Sequence, residues 1–250
     1  VIGSIIIPSW YTLLILGAMI STSLAVYLKP PNFPLNRKEI TLVAALLVIS
    51  GLLGARVLHL LLQGTVSAFN LSSLFSFRGG YAYFGALVFS VGTLLIYSSF
   101  KKVNFLVLTD YAMPFLMLSQ MFVRIGCLAA GCCYGKPTSQ PFGLVFKTVD
   151  GLVRHPTQVH EAILLFLIYV ISRWIYKRRA DRRGLTLAAT LIMYGLGRFL
   201  VEYFRADGSA SIVLNLTAAQ VSCLLVTVVG TSFLFTAKVD KSYVLIKNQN

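Results

Sequence analysis

Between Arg124 and Thr138 the chain reads RIGCLAAGCCYGKPT, an arginine followed closely by three cysteines and three glycines. A stretch of this kind has three chemical uses. Cys127, Cys132 and Cys133 are soft metal ligands, but they form no CxxC pair, and a zinc site normally takes four Cys or His ligands; no metal is expected. On an oxidising side of a membrane two of the thiols could join as a disulfide. The third use belongs to the backbone. Gly126, Gly131 and Gly135 permit a tight path whose turned amides cradle an anion, with Arg124 supplying a fixed charge and the sulfurs acting as small fillers. The backbone use is the one expected.

Three other stretches carry groups able to do chemistry. In YGLGRFLVEYFRAD (Tyr194 to Asp207), Arg198, Glu202 and Arg205 are spaced i, i+4, i+7, which makes one polar stripe if the helix runs through all three. The stripe is either a structural ion pair or an anion site in which Glu202 orients a guanidinium for a phosphate, a group its planar fork fits. In RHPTQVHEAILLF (Arg154 to Phe166), Pro156 biases His155 away from helix and Thr157 is placed to cap the amides that follow. Gln158 and Glu161 then share a face of the first turn, as caps and dipole partners or as part of a site, and His160 reads as an interfacial histidine. In RGGYAYFGALVFSVG (Arg78 to Gly92), Tyr81 and Tyr83 follow a glycine pair and serve either an aromatic belt or a site; Trp10 and Tyr11 allow the same two readings.

These groups are informative because of where they sit. With 57% hydrophobic and 12% charged residues the chain cannot cover itself with a polar surface in water. Its apolar runs, at 9–28, 41–63, 81–99, 105–127, 158–176, 185–203 and 212–236, approach the ~20 residues a helix needs to cross the hydrocarbon core. An all-α integral membrane protein with about seven transmembrane helices is expected. Arg56, His59, Asp110, Arg124, Glu161, Arg198 and Glu202 lie inside these runs or at their ends, where a central arginine costs about 2.5–3.5 kcal/mol and needs partners. Cys223, also in an apolar run, reads as a packing residue.

The formal charge of +14 is not spread evenly. Taken alternately, the connections at 29–38, 101–102, 177–183 and the tail hold most of the Lys and Arg. Those at 64–80, 128–157 and around 205 hold few. The positive-inside rule then places the N-terminus outside and the C-terminus in the cytoplasm. It also accounts for the charge without nucleic acid, which is not expected as a partner; anionic membrane lipids are. The chain reads as a single polytopic membrane domain over 1–250. Its outer connections 64–80 and 128–157 are longer than a turn requires and so contribute to the working face.

Taken together, RGGYAYFGAL, RIGCLAAGCCYG, RHPTQVHE and GRFLVEYFRAD resemble the bacterial prolipoprotein diacylglyceryl transferases, in that family's order and at about its spacing. The resemblance covers essentially all seven runs. It implies a multi-pass enzyme of the bacterial plasma (inner) membrane that moves the diacylglyceryl group of phosphatidylglycerol to the lipobox cysteine of a secreted lipoprotein precursor. A thioether forms and glycerol phosphate leaves, with no cofactor. On this pattern Arg124, Arg198 and Glu202 are catalytic. Tyr11, Gly135, Tyr83, Arg154, His155, Gln158 and Arg205 contact substrate or support those that do. Two positions depart from the pattern. Cys127 stands where better-known members have asparagine, and Phe84-Gly85-Ala86 stands where many have His-Gly-Gly, which leaves the group that deprotonates the acceptor thiol unassigned among Tyr83, His155, His160 and the departing phosphate. Three rival readings stand beside it: a transferase with another acceptor, a phospholipid-binding protein without transfer, and an anion or lipid transporter, since buried arginines also mark permeation routes.

Overall fold

The computed structural model describes residues 10–63, 80, 82–146, 150–206 and 215–237. Among these, every apolar run is a helix: α1 (Trp10–Tyr27), α2 (Arg37–Leu62), α3 (Tyr83–Lys101), α4 (Phe105–Ala130), α5 (Thr157–Arg179), α6 (Leu185–Glu202) and α7 (Ala218–Thr236). From α2 onward, six are long and apolar enough to cross a membrane, and α1 contributes the apolar stretch Leu13–Tyr27. The chain is a multi-pass membrane protein, and large apolar side chains such as Val88, Ile96, Leu225 and Val228 lie exposed along its helices. A two-stranded antiparallel hairpin, β1 (Leu144–Val145) and β2 (Val153–Arg154), pairs Leu144 with Arg154 and Val145 with Val153 inside the connection 128–157. The connection 64–80 lies, Gly80 apart, outside the described residues.

Helix ends follow local chemistry more closely than hydropathy. The apolar run of α2 begins at 41, yet the helix starts at Arg37. Asn36 accepts the Glu39 amide and the Glu39 carboxylate accepts the Asn36 amide, both at 2.9 Å, a reciprocal cap that draws a polar turn into the helix. Thr217 and Gln220 do the same for α7, at 3.2 and 3.0 Å.

The chain forms two compact units, residues 22–108 and residues 1–21 with 109–250. In the first of these, α2 and α3 cross at Gly54 and Gly85. A Cβ on either would lie 2.4 or 2.1 Å from the other's carbonyl oxygen, so only hydrogen fits. Small residues allow this approach where lipid offers no hydrophobic driving force between helices. Arg56 and His59 find their partners here. The Arg56 Nη1 donates to the Gly80 carbonyl at 3.2 Å, and the Gly80 amide donates to His59 Nε2 at 3.2 Å. Both side chains thus fix the approach to α3.

In the other unit, α4 to α6 pack around Met117, Leu165 and Ile168. Asp110 of α4 accepts the amides of Gly184 at 2.6 Å and Leu187 at 2.7 Å, capping α6 from a neighbouring helix. The turn before α6 needs Gly184 at φ 87° and leaves these amides without intrahelical acceptors. Ser172 and Thr190 join α5 to α6 by a buried hydroxyl pair at 2.7 Å.

Candidate active site

The end of α4, the first turn of α5 and the end of α6 bring charged side chains together. Glu161 stands at the centre. Its Oε2 lies 2.5 Å from Arg124 Nε, and its Oε1 lies 3.1 Å from Arg205 Nη1 and 3.6 Å from Arg198 Nε. Glu202 takes Arg198 Nη1 at 2.6 Å and Arg205 Nε at 3.5 Å, and the Thr217 hydroxyl donates to it at 3.4 Å. Glu161 is 2% exposed and Glu202 6%. Carboxylates so buried require paired cations, and each of these has more than one.

The cluster contains Arg124, Arg198, Glu202 and Arg205, all expected from sequence, and Glu161, whose part in it the sequence reading missed. Glu161 showed as a first-turn neighbour of Gln158 and as one of several ionisable groups in apolar runs; its three arginine partners lie at least 37 positions away and no spacing announces them. Arg205 arrives differently from expectation. The helix stops at Glu202, so the i, i+4, i+7 stripe is not one helical face. The Lys136 amide takes the Phe204 carbonyl at 2.8 Å, and Gly135 pairs with Arg205 in an isolated antiparallel bridge. The cross-chain bridge competes with the next helical turn and wins, while the Arg205 side chain still returns to Glu161.

The loop after α4 is also not built as expected. The amides of Gly131, Cys132, Gly135 and Lys136 donate to the carbonyls of Leu128, Cys127, His155 and Phe204 at 2.8–3.1 Å, so they are already spent and do not form an anion cradle. The loop turns through left-handed conformations at Gly131 (φ 68°) and Cys133 (φ 60°). It is held from α5: the Thr157 hydroxyl donates to the Cys133 carbonyl at 2.7 Å, and Gln158 Nε2 to the Cys132 carbonyl at 2.5 Å. Thr157 is thus the first residue of α5 and a tether, not its cap, because the loop carbonyl captures its hydroxyl. The result brings the sulfurs of Cys127, Cys132 and Cys133 within 4.8 Å of one another, all three as free thiols. A hydrogen bond from Cys127, with Arg205 and Arg124 nearby, outweighs burial and brings the Cys133 thiol down to about 5.

The remaining expected residues take supporting positions. Gly135 has its amide on His155 O at 2.8 Å and its carbonyl on Arg154 Nη1 at 3.1 Å. Arg154 lies over the Tyr134 ring at 4.9 Å and pairs with Asp150, whose carboxyl this hydrogen bond holds below the usual carboxylate range. His155 lies outside α5, as Pro156 dictates, with its ring against Phe204 (5.2 Å between centroids) and His160 (6.5 Å). A cleft of about 350 Å³ beside them is lined by Tyr134, Lys136, Pro137, Arg154 and Ala206. Tyr83 belongs to the other unit, exposed at the start of α3 and edge-on to Phe84. The side chain of Tyr11 lies outside the described residues.

A Cβ on Gly135 would come within 2.6 Å of His155 Cβ, His155 O and Phe204 O, two of them backbone atoms and the third fixed directly to the backbone. Gly135→Ala is therefore expected to destabilise the detergent-solubilised protein by about 1–3 kcal/mol, the usual cost of overpacking. Thermal unfolding followed by circular dichroism checks this; an unchanged midpoint would show that the three strands of loop can part without cost.

Among the described residues, three guanidiniums stand against two carboxylates in this cluster. A sequence model described as prolipoprotein diacylglyceryl transferase matches residues 2–236. The chain is 30% identical over 210 residues to the phosphatidylglycerol--prolipoprotein diacylglyceryl transferase of Clostridium tetani, 82% of each chain. It is 32% identical over 195 residues to transferase 2 of that name from Clostridium perfringens, 76% of each. With the transferase of the same name from Finegoldia magna it shares 32% over 201 residues, 79% of each.

Proposed function

Since the chain belongs to the prolipoprotein diacylglyceryl transferase family, we propose that it transfers the diacylglyceryl group of phosphatidylglycerol to the thiol of a secreted prolipoprotein. The acceptor sulfur bonds to the glyceryl carbon, that carbon's bond to the phosphate oxygen breaks, and glycerol phosphate departs. The phosphate enters as a monoanion and leaves with a second negative charge developing. Stabilising charge at that atom is where positioned cations contribute most.

The observation that carries the reading is the convergence of three arginines from separate segments on Glu161 and Glu202 at the ends of lipid-length helices. In this account Arg124 and Arg198 bind the phosphodiester and take up its developing charge. Glu202 keeps Arg198 turned toward it, and Arg205 completes the ring. Gly135, Arg154, His155 and Gln158 hold the loop 131–136 that borders the cluster, while Tyr11 and Tyr83 are carried over as lipid contacts from the family pattern alone. Alternating helix direction puts the end of α4, the start of α5 and the end of α6 on one side. The distribution of Lys and Arg makes it the outer side of the bacterial plasma membrane, with the C-terminus in the cytoplasm. On the sequence alone, 1–250 is taken as a single polytopic domain to whose working face the connections 64–80 and 128–157 contribute.

The test is reconstitution in phosphatidylglycerol vesicles with a lipobox peptide. The peptide thiol is expected to gain the mass of the diacylglyceryl group while glycerol phosphate appears in equal amount. Lipid binding with an unmodified peptide and no glycerol phosphate would overturn the proposal.

A further inference from the structure

We propose that Cys127, Cys132 and Cys133 form a three-thiolate seat for a zinc ion whose fourth position takes the acceptor thiol. The inference rests on the transferase reading and assigns the cysteines a part in it.

The sequence spacing argues against a metal because Cys132 and Cys133 are adjacent and no CxxC pair exists. The backbone removes that objection. Cys133 adopts φ 60°, a left-handed conformation that a side chain other than glycine's takes only when its surroundings enforce it. Thr157 and Gln158 enforce it by holding the carbonyls of Cys133 and Cys132. The turn brings the two neighbouring sulfurs and that of Cys127, at the end of α4, within 4.8 Å of one another. Zinc–sulfur bonds of about 2.3 Å in a tetrahedron put the sulfurs roughly 3.8 Å apart, so small side-chain rotations close the seat. Cys132 is exposed, which gives an ion a way in.

Three protein ligands and one open position are the arrangement of catalytic rather than structural zinc. The reaction supplies a fourth ligand, since its nucleophile is itself a thiol and must be a thiolate to attack. Both carboxylates of the neighbouring cluster are already held by arginines. A thiol coordinated to zinc is deprotonated outright and remains a nucleophile. On binding, the acceptor thiol releases its proton to water. Its sulfur then forms the bond to the glyceryl carbon as the bond from that carbon to the phosphate oxygen breaks, the electron pair leaving with glycerol phosphate. The thioether product carries no charge, binds zinc weakly and departs. Three thiolates and a divalent cation leave one negative charge.

The experiment uses the full chain purified in detergent under reducing conditions without added metal. Elemental analysis is expected to find about one zinc per chain, and Cys132→Ser to weaken zinc binding by about 100-fold or more. Cobalt substituted for zinc is expected to show sulfur-to-cobalt charge-transfer bands that change when a lipobox peptide is added, and not when the same peptide carries serine for its cysteine. No bound metal, cobalt bands indifferent to the peptide thiol, or a disulfide among the three cysteines would overturn the proposal. Full transfer by a protein stripped of metal would also overturn it while leaving the transferase reading intact. Bound metal that responds to the peptide thiol without any transfer would overturn the transferase reading instead.

Discussion

Glu161→Gln is expected to lower diacylglyceryl transfer by about 100-fold or more, the scale on which loss of a charge-stabilising group is felt in an active site. Glu161 need not touch the substrate for this. Among the described residues it is the one carboxylate paired with Arg124, Arg198 and Arg205 together, from 2.5 to 3.6 Å. Glutamine keeps the volume and removes the charge, which leaves Glu202 to face the three guanidiniums among the described residues. Breaking a buried pair by removing one partner costs about 3–5 kcal/mol, because the remaining charge is left uncompensated. The arginines are then expected to turn apart toward water or lipid headgroups. Glu161→Asp keeps the charge on a shorter arm and is expected to recover part of the rate. A lone structural role would make Glu161→Gln and Glu161→Asp alike in activity per folded molecule. A rate for Glu161→Gln within a few-fold of the parent, at equal folded yield, would refute the positioning role.

Arg198→Lys is expected to cost about 100-fold in kcat with a smaller effect on phosphatidylglycerol binding. Arg198 sits between both carboxylates, with Nη1 2.6 Å from Glu202 and Nε 3.6 Å from Glu161. A guanidinium has several donors fixed in one plane to divide between carboxylates and a phosphate; an ammonium is a point charge that cannot reproduce that arrangement. Because the charge is kept, the substrate's resting monoanion is still attracted, and the loss falls on the second charge that develops as the bond breaks. Steady-state rates over a range of lipid mole fraction separate the two terms. A change confined to KM would assign Arg198 to lipid binding alone.

Most of the fold was legible in the sequence. Continuous apolar runs of membrane length report helices directly, because lipid demands internal hydrogen bonding and leaves little else that can cross. The ends were less legible. α2 starts four residues before its apolar run because the Asn36–Glu39 cap is a local hydrogen-bond decision that hydropathy does not register. The arginines of the cluster were legible for a related reason: a guanidinium in an apolar run is costly enough to need a purpose. Glu161 was harder to see, since a carboxylate in a first turn already has an ordinary use in the helix dipole. The stripe through Arg205 misled because helical spacing says nothing about where the helix stops, and the bridge to Gly135 that ends it joins positions 70 apart. The glycines after Arg124 misled in another way. They do give the loop its path, but its amides are claimed by His155, Phe204 and the end of α4, so the turn directs sulfurs where amides were expected.

The excess of guanidiniums over carboxylates among the described residues of the cluster bears on how turnover ends as well as how it begins. A phosphodiester meets that excess as a monoanion, whereas freed glycerol phosphate, with about −1.5 to −2 at neutral pH, is attracted more strongly than the lipid it came from. The released headgroup should therefore linger and act as a brake on the next cycle. Escape into the water outside the bilayer would govern the steady-state pace, and added salt would change it little, because charges so buried are weakly screened.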